Sequence, residues 1–266
     1  MFIWLQIITL FFQMNSDTIS EFKWIKDITI KTESFATDQL NNIYSIDKTG
    51  VVKISIEDQS RFSYSSKLNG NIHSVDVTDP FRILIFYKDF SRAVFLDNKL
   101  TELLSAIQLN DLGYFNVQAV GTSSRGGFWI YDQDVAQIVY IDKSLKESHR
   151  SSVLRDIIDN SSDKETLSLI EKNDFVYLGI PNQGIFQFDI YGTFLKKFPI
   201  TDFFKFQVWG QSIIYFSNNK LKIYNTQTYE TEEKILPVNN VKDCSVEGSK
   251  LFLLLTDRIS IYSINN

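Results

Sequence analysis

The chain is poor in the residue types that form cross-links and histidine-based metal centres. Among its 266 residues there are one cysteine, Cys244, and two histidines, His73 and His149. A lone cysteine excludes a disulfide within the chain. Two histidines leave almost nothing from which to build a transition-metal site of the zinc type. We therefore expect neither internal cross-linking nor transition-metal chemistry.

Clustered positive charge and nucleophilic motifs are also missing. The formal net charge is -5, and no Lys/Arg-rich run occurs. Proteins that bind nucleic acid use clustered Lys and Arg side chains to displace counter-ions from the phosphate backbone. Because this chain has no such cluster, nucleic acid is not an expected partner. No G-x-S-x-G elbow is present, His73 begins a predicted strand, and His149 lies in the polar stretch KESHRSS. A catalytic triad is therefore not expected.

The chain does contain one pattern repeated six times. Each copy consists of an apolar strand, a turn and a second strand in which apolar and polar residues alternate, and this second strand ends in a small polar residue. The six copies end at Ser55, Asp97, Asp142, Asp189, Asn225 and Ser263. A period of roughly 40 residues is typical of propeller blades. Abundant Val, Ile, Tyr and Phe favour strands over helices. The sequence therefore predicts an all-β fold, a single six-bladed β-propeller over residues 17–266.

Each blade needs four strands, and short segments before and after every copy predict the missing two. Inner strands are predicted at SFATD from Ser34, HSVDVTD from His73, VQAVGTS from Val117, TLSLIEK from Thr166, FKFQVWG from Phe204 and KDCSVEG from Lys242. Outer strands are predicted at RFSYSS from Arg61, LLSAIQL from Leu103, SSVLRD from Ser151, FLKKFPI from Phe194 and ETEEKILPV from Glu230. The last blade has no outer strand of its own. We predict that FKWIKDITIK from Phe22 supplies it, pairing beside Ile261 and covering an otherwise open edge.

The first residues form an apolar run from Phe2 to Phe12, broken by Gln6 and Thr9. This run is too short for a spanning helix and resembles the apolar region of a secretory signal. We expect residues 1–16 to be a signal segment and the protein to be exported to the periplasm, without a membrane span. The alternative is a buried β-strand.

Carboxylates on the predicted inner strands are the candidates for a metal site. Hard cations need several oxygen ligands that converge on one point, as in propeller hydrolases of the lactonase or esterase type. Asp76 and Asp243 are the candidates, with Gln118 and Gln207 as further oxygen donors. The other inner strands offer mostly apolar, Ser or Thr side chains. We therefore expect no cofactor and no catalysis, and keep a metal-dependent hydrolase as the alternative.

Three aspartates, Asp97, Asp142 and Asp189, occupy the same position in successive copies of the repeat. Equivalent positions in a propeller lie on different blades, too far apart to share a calcium ion. We interpret these residues as turn formers that bind backbone groups at the start of the turn into the outer strand.

Aromatic residues in turns and interblade connections are the candidates for partner binding. They are Tyr87, Phe90, Tyr114, Phe203 and Phe204. Turns between second and third strands share one face of a propeller with the interblade loops, and Tyr, Trp and Phe are enriched at the cores of protein interfaces. We hypothesise a docking face for another protein. Capping of the ring is an equally simple interpretation, and carbohydrate binding is a further alternative.

Two stretches carry a resemblance to a known group of proteins. The segments FYKDFSRAVFLDNKLTELLSAIQLNDLGYFNVQAV and GFWIYDQDVAQIVYIDKSL resemble exported six-bladed envelope propellers of bacteria that use the type IX protein secretion pathway. The resemblance implies a periplasmic protein, monomeric by itself, that docks onto a larger envelope protein. It further implies a role as an accessory or plug-like subunit of an outer-membrane channel. These motifs specify strand and turn packing, so no functional residue is transferred with them.

Overall fold

The computed structural model describes residues 21–159 and 167–264, and it confirms the six-bladed all-β architecture. Six antiparallel sheets of four strands each form a ring of blades. The described residues contain two short 3-10 turns, Lys88–Phe90 and Leu109–Leu112, and no α-helix. The predicted signal segment, residues 1–16, lies outside the described residues. Within the described ranges, no helix is long and apolar enough to cross a membrane.

The strands follow one order in every blade, from the central axis to the rim. The innermost strands are β2 (Ser34–Thr37), β6 (Ser74–Asp76), β10 (Val117–Thr122), β14 (Ser168–Lys172), β18 (Phe206–Trp209) and β22 (Asp243–Glu247). The second strands are β3 (Ile43–Ile46), β7 (Ile83–Tyr87), β11 (Phe128–Asp132), β15 (Phe175–Ile180), β19 (Ser212–Ser217) and β23 (Lys250–Leu254). The third strands are β4 (Gly50–Ile54), β8 (Arg92–Leu96), β12 (Gln137–Ile141), β16 (Gly184–Asp189), β20 (Lys220–Asn225) and β24 (Arg258–Ile264). The outer strands are β5 (Arg61–Ser65), β9 (Ile107–Gln108), β13 (Glu147–Arg150), β17 (Phe194–Phe198), β21 (Thr231–Ile235) and β1 (Phe22–Thr29).

The ring is closed by β1, as the sequence predicts. This strand pairs antiparallel with β24, placing Phe22 opposite Ile264 and Ile28 opposite Ile259. Lys26 is the partner of Ile261, so the pairing lies within two residues of the expected one. Without β1, the backbone of β24 would be an unpaired edge. The sixth blade therefore joins one end of the described chain to the other.

Apolar layers between neighbouring blades form the core. Six clusters of buried side chains fill the six junctions, and the junction between blades 3 and 4 holds the fully buried Trp129 with Leu178 and Phe186. Each large apolar side chain buried in this way stabilises the fold by about 1.5–3 kcal/mol. At the same junction the backbones of blades 3 and 4 lie so close together that residue 121 must be glycine. A Cβ on Gly121 would lie 2.2 Å from the carbonyl oxygen of Leu169.

The aspartates interpreted as turn formers have that role in the structure. Each accepts two backbone N–H bonds with its Oδ1 atom, from the second and the fourth residue after it. The donors are Lys99 and Thr101 for Asp97, Ser144 and Lys146 for Asp142, and Tyr191 and Thr193 for Asp189. The six distances lie between 2.7 and 3.0 Å. The repeated position therefore fixes the turns between third and outer strands.

One predicted outer strand is wrong and another is shorter than expected. The outer strand of blade 3 is Glu147–Arg150, and the predicted segment SSVLRD follows it. There the chain turns inward, because Leu154 is buried in the layer between blades 3 and 4 and its N–H donates to the carbonyl of Ala136. In blade 2 the segment LLSAIQL forms a strand only over Ile107–Gln108.

Candidate functional site

The structure separates the five aromatic residues predicted to bind a partner into buried and exposed ones. Three are buried, which corrects the expected exposure: Tyr87 packs between blades 1 and 2, Tyr114 between blades 2 and 3, and Phe203 between blades 4 and 5. The Tyr114 hydroxyl also donates to Glu147 Oε2 at 2.9 Å. Phe90 and Phe204 remain on the surface, with half and 70% of their area exposed.

These two rings lie on the same side of the ring of blades. Strand direction alternates within each meander, so the interblade connections and the turns between second and third strands share one side, which we call the loop face. The opposite side carries the other turns, and we call it the turn face. The connections of the loop face also expose Leu68 at 86% and Phe115 at 70%, and to a lesser degree Val153 and Ile157.

Sequence reasoning missed Leu68 and Phe115. Phe115 follows Tyr114 directly, and either ring could have turned inward by its position in the connection. Leu68 stands alone in a polar stretch, and the sequence around it gives no signal of a surface role.

Part of the loop face is held in place by packing and hydrogen bonds. Phe90 ends the turn Lys88–Phe90, and its ring lies over Gly70, where an added Cβ would come within 2.6 Å of the ring. The Arg92 guanidinium stands 5.8 Å from the same ring and donates to the Leu68 carbonyl at 3.2 Å. A second bond runs from Arg92 to Asn69 Oδ1 at 3.1 Å. Leu68 and Phe90 therefore belong to one preformed surface.

The ring encloses a central channel with a cavity of about 290 Å³, lined by residues from all six blades. Phe204 and His73 lie where inner strands begin, at the loop-face end. An ion pair between Lys205 Nζ and Asp243 Oδ2, 3.0 Å long, joins blades 5 and 6 at that end. Burial, more than the nearby Lys88, lowers the pKa of His73 to about 4. The His73 imidazole is therefore neutral at physiological pH.

The two candidate metal ligands lie at opposite ends of the channel, because Asp76 ends its inner strand and Asp243 begins one. Each is engaged by protein donors. Asp76 Oδ2 accepts from the N–H and the hydroxyl of Thr122, at 2.7 and 2.8 Å, which ties blade 2 to blade 3. Asp243 Oδ1 accepts from the Cys244 N–H at 2.8 Å. Among the described residues, no group of three or more His, Cys, Asp or Glu side chains could hold a metal ion.

The other candidate oxygen donors are also turned toward protein groups. Gln207 Oε1 accepts from the Val246 N–H at 2.8 Å and so links blades 5 and 6. Gln118 donates with its Nε2 to Asn116 Oδ1 within its own blade. These amides therefore tie neighbouring segments together around the channel.

Glu171 is a carboxylate that sequence reasoning did not single out, and it joins blade 4 to blade 3. Its Oε1 accepts from the N–H and the hydroxyl of Ser124 at 2.9 and 2.7 Å, and its Oε2 accepts from Trp129 Nε1 at 2.7 Å. Burial acts to raise the pKa of Glu171, but these hydrogen bonds outweigh it and hold the pKa below its ordinary value. Glu171 is therefore an ionised structural link between blades.

Glu247 lies in the channel wall at the turn-face end and has the opposite character to Glu171. Its closest hydrogen-bond contact is from Gln207 Nε2 at 3.5 Å, which is long for a hydrogen bond. Burial raises the pKa of Glu247 to about 7, with Asp38 adding to the rise and Lys172 opposing it. A carboxyl that titrates near neutrality in a cavity wall can hold or release a proton under physiological conditions.

The remaining titratable groups that the sequence analysis named are structural. Burial raises the pKa of Cys244 to about 12, so its thiol stays protonated and unreactive. His149 lies on the outer strand β13, where its ring stacks on Tyr140 with centroids 6.0 Å apart and meets Tyr191 edge-on. Neither residue lines the central cavity.

By sequence the chain matches no known protein family and no curated protein. By structure it is similar to virginiamycin B lyase from Staphylococcus aureus, with 11% identity and a TM-score of 0.57 over 87% of this chain and 80% of that one. It is also similar to BamB from Moraxella catarrhalis, with 8% identity and a TM-score of 0.54 over 91% of this chain and 99% of that one. A chain of a mitotic checkpoint complex has 8% identity and a TM-score of 0.62 over 98% of this chain and 100% of that one. At such identities the likeness shows the fold alone, and the fold is a β-propeller, here with six blades.

Proposed function

We propose that this protein is a non-catalytic periplasmic propeller that docks through its loop face onto a larger envelope protein. In this proposal it serves as an accessory or plug-like subunit of an outer-membrane channel of the type IX secretion pathway. The observation that carries the proposal is the preformed apolar surface of Leu68 and Phe90, with Phe115 and Phe204 exposed on the same face.

Single exposed apolar residues are ordinary on a protein surface, and the turn face also exposes large rings such as Phe81, so the number of exposed side chains does not distinguish the two faces. What favours the loop face is that Leu68 and Phe90 lie on one preformed surface. Phenylalanine contributes large apolar area when it becomes buried between two proteins. Because Gly70 supports the Phe90 ring and Arg92 fixes the backbone at Leu68, little ordering of this part of the loop face remains to oppose binding.

The compartment and the pathway rest on the sequence resemblance and on the apolar segment Phe2 to Phe12. A propeller in a mitotic checkpoint complex gives a precedent for this fold as part of an assembly. Intramolecular bonds on Asp76, Asp243 and Glu171 favour a scaffold over a central catalytic cation.

Affinity capture from detergent-solubilised envelopes of the native cells tests the proposal. The loop-face variant carries Phe90→Ser and Phe204→Ser. The matched control carries Tyr191→Ser and Tyr229→Ser, two rings of the turn face with 60% and 61% exposure. We expect the wild type and the control to retain the same outer-membrane protein and the loop-face variant to lose it. Capture of no membrane protein, or equal capture by all three, would overturn the proposal.

A further inference from the structure

The wall of the central channel contains charged groups, and most of them are matched within the fold. Asp38 accepts from the Tyr44 hydroxyl at 2.7 Å and from Asn42 Nδ2 at 2.8 Å, besides two backbone N–H groups. Asp76 accepts three hydrogen bonds, and Asp243 is paired with Lys205. Asp38, Asp76 and Asp243 therefore act as structural links within and between blades.

Two charged groups of the wall lack such partners. Lys172 ends β14 and Glu247 ends β22, so both lie at the turn-face end of the channel. The side chain of Lys172 makes no hydrogen bond or ion pair with any described residue, and that of Glu247 has only the long contact from Gln207. The two side chains influence one another electrostatically but form no ion pair. Partly buried charges without partners are unfavourable for folding, and groups of this kind cluster at functional sites.

We propose that this end of the channel binds a small zwitterion of the α-amino-acid class, with its ammonium group on Glu247 and its carboxylate on Lys172. Both contacts are charge-assisted hydrogen bonds, which are stronger than neutral ones. The apolar parts of the wall, Val120 and Ile170, accommodate the aliphatic part of such a ligand. A cavity of about 290 Å³ lies at the small end of the range for ligand pockets, which suits a compact molecule.

The charges of the wall disfavour simpler ligands. A divalent cation would meet the Lys172 ammonium and would find no cluster of three acidic ligands among the described residues. A lone anion would face Glu247 and Asp38. A zwitterion satisfies both unpaired groups at once, because it presents one charge of each sign.

Binding of the ammonium group requires an ionised Glu247. Burial and Asp38 raise the pKa of this carboxyl to about 7, whereas Lys172 opposes the rise, and Gln207 contributes only a neutral amide. Affinity should therefore fall as the pH drops below 7, since the ligand must then displace a proton from Glu247. Above that value the affinity should become independent of pH until the ligand loses its own ammonium proton.

Thermal unfolding of the full chain with each common L-amino acid added singly tests this site. At least one amino acid should raise the melting temperature. The amide of that amino acid lacks the carboxylate, its N-acetyl derivative lacks the ammonium, and neither should raise it. Absence of any shift, or an equal shift with both derivatives, would overturn the proposal without use of any variant.

Variants then assign the two contacts by titration calorimetry with the amino acid found in the first experiment. Lys172→Met and Glu247→Gln should each weaken binding by about tenfold or more, the loss expected for one charge-assisted contact. Lys99→Met and Glu57→Gln, which alter exposed side chains away from the channel, should bind as the wild type does. Wild-type affinity in both channel variants would overturn the assignment.

Discussion

The two faces of the propeller are built on opposite principles. On the turn face, Asp97, Asp142 and Asp189 repeat the same pair of backbone hydrogen bonds from blade to blade. On the loop face, the interblade connections vary in length and composition, and Leu68, Phe115 and Phe204 project from three of them. The repeated residues therefore maintain the ring, and irregular positions on rigid supports are where a function can be added.

Removal of β1 gives the largest expected effect, since it would abolish both faces together. Deletion of residues 1–29 should expose the edge of β24 and leave the chain aggregated or without a cooperative unfolding transition. Circular dichroism and size-exclusion chromatography would measure this. Deletion of residues 1–16 alone is the control and should leave the transition intact. A normal transition in the longer deletion would contradict closure by β1.

Glu171→Ala should produce the next largest effect, because Glu171 lies near the turn-face end of its inner strand and unites two blades there. The substitution leaves the buried Trp129 Nε1 and the Ser124 N–H without acceptors. We expect the free energy of unfolding to fall by about 2–4 kcal/mol. Urea denaturation would measure the loss, with the exposed Glu57→Ala as control. A loss no larger than that of the control would mean that Glu171 does not join the blades.

Glu247→Gln tests the contrast between Glu247 and Glu171 through the pH dependence of stability. Burial raises the pKa of Glu247 from its ordinary 4.5 to about 7, so between these values the folded chain holds a proton that the unfolded chain has released. Wild-type stability should therefore fall as the pH rises from 4.5 to 7. The variant lacks this dependence and should be more stable than the wild type above pH 7, by about 1–2 kcal/mol after solvent screening.

Denaturation of both proteins at several pH values would measure the difference. Parallel stability curves for wild type and Glu247→Gln would show that this carboxyl has an ordinary pKa. Glu171 should act in the opposite direction, because its pKa is lowered and its stabilising effect is lost only as the pH falls through that lowered value.

Asp189→Ala should have a smaller effect, confined to stability. The substitution removes the acceptor for the N–H groups of Tyr191 and Thr193, in a turn that water can reach. We expect a loss of about 1 kcal/mol in the free energy of unfolding, measured in urea, and unchanged capture of the envelope partner. Loss of capture at wild-type stability would place the docking surface on the turn face.

Periodicity allowed most of the fold to be predicted from the sequence. Blade number, the inner strands, the turn aspartates and the closing strand β1 all follow from a pattern repeated along the chain. The prediction of the outer strand of blade 3 is wrong because both KESHR and SSVLRD are polar enough to lie at the rim of the propeller. The inward turn at Leu154 depends on a pocket between two blades, which no local pattern describes.

Functional positions were harder to predict, since they depend on contacts between distant segments. Of the adjacent rings Phe203 and Phe204, one is buried and the other exposed, and only the neighbouring blade decides which. Glu171 and Glu247 both end or nearly end inner strands. Donors from blade 3 distinguish Glu171, and they lie more than 40 residues away in sequence.

Site-specific photocrosslinking in native cells tests the central claim, that the loop face is the docking surface, most directly. A photoreactive residue at Phe204 reports on the loop face, and one at Tyr191, of similar exposure, reports on the turn face. The account predicts a crosslink to one outer-membrane protein from position 204 and none from position 191. Crosslinks from position 191 alone, or from neither position, would contradict it.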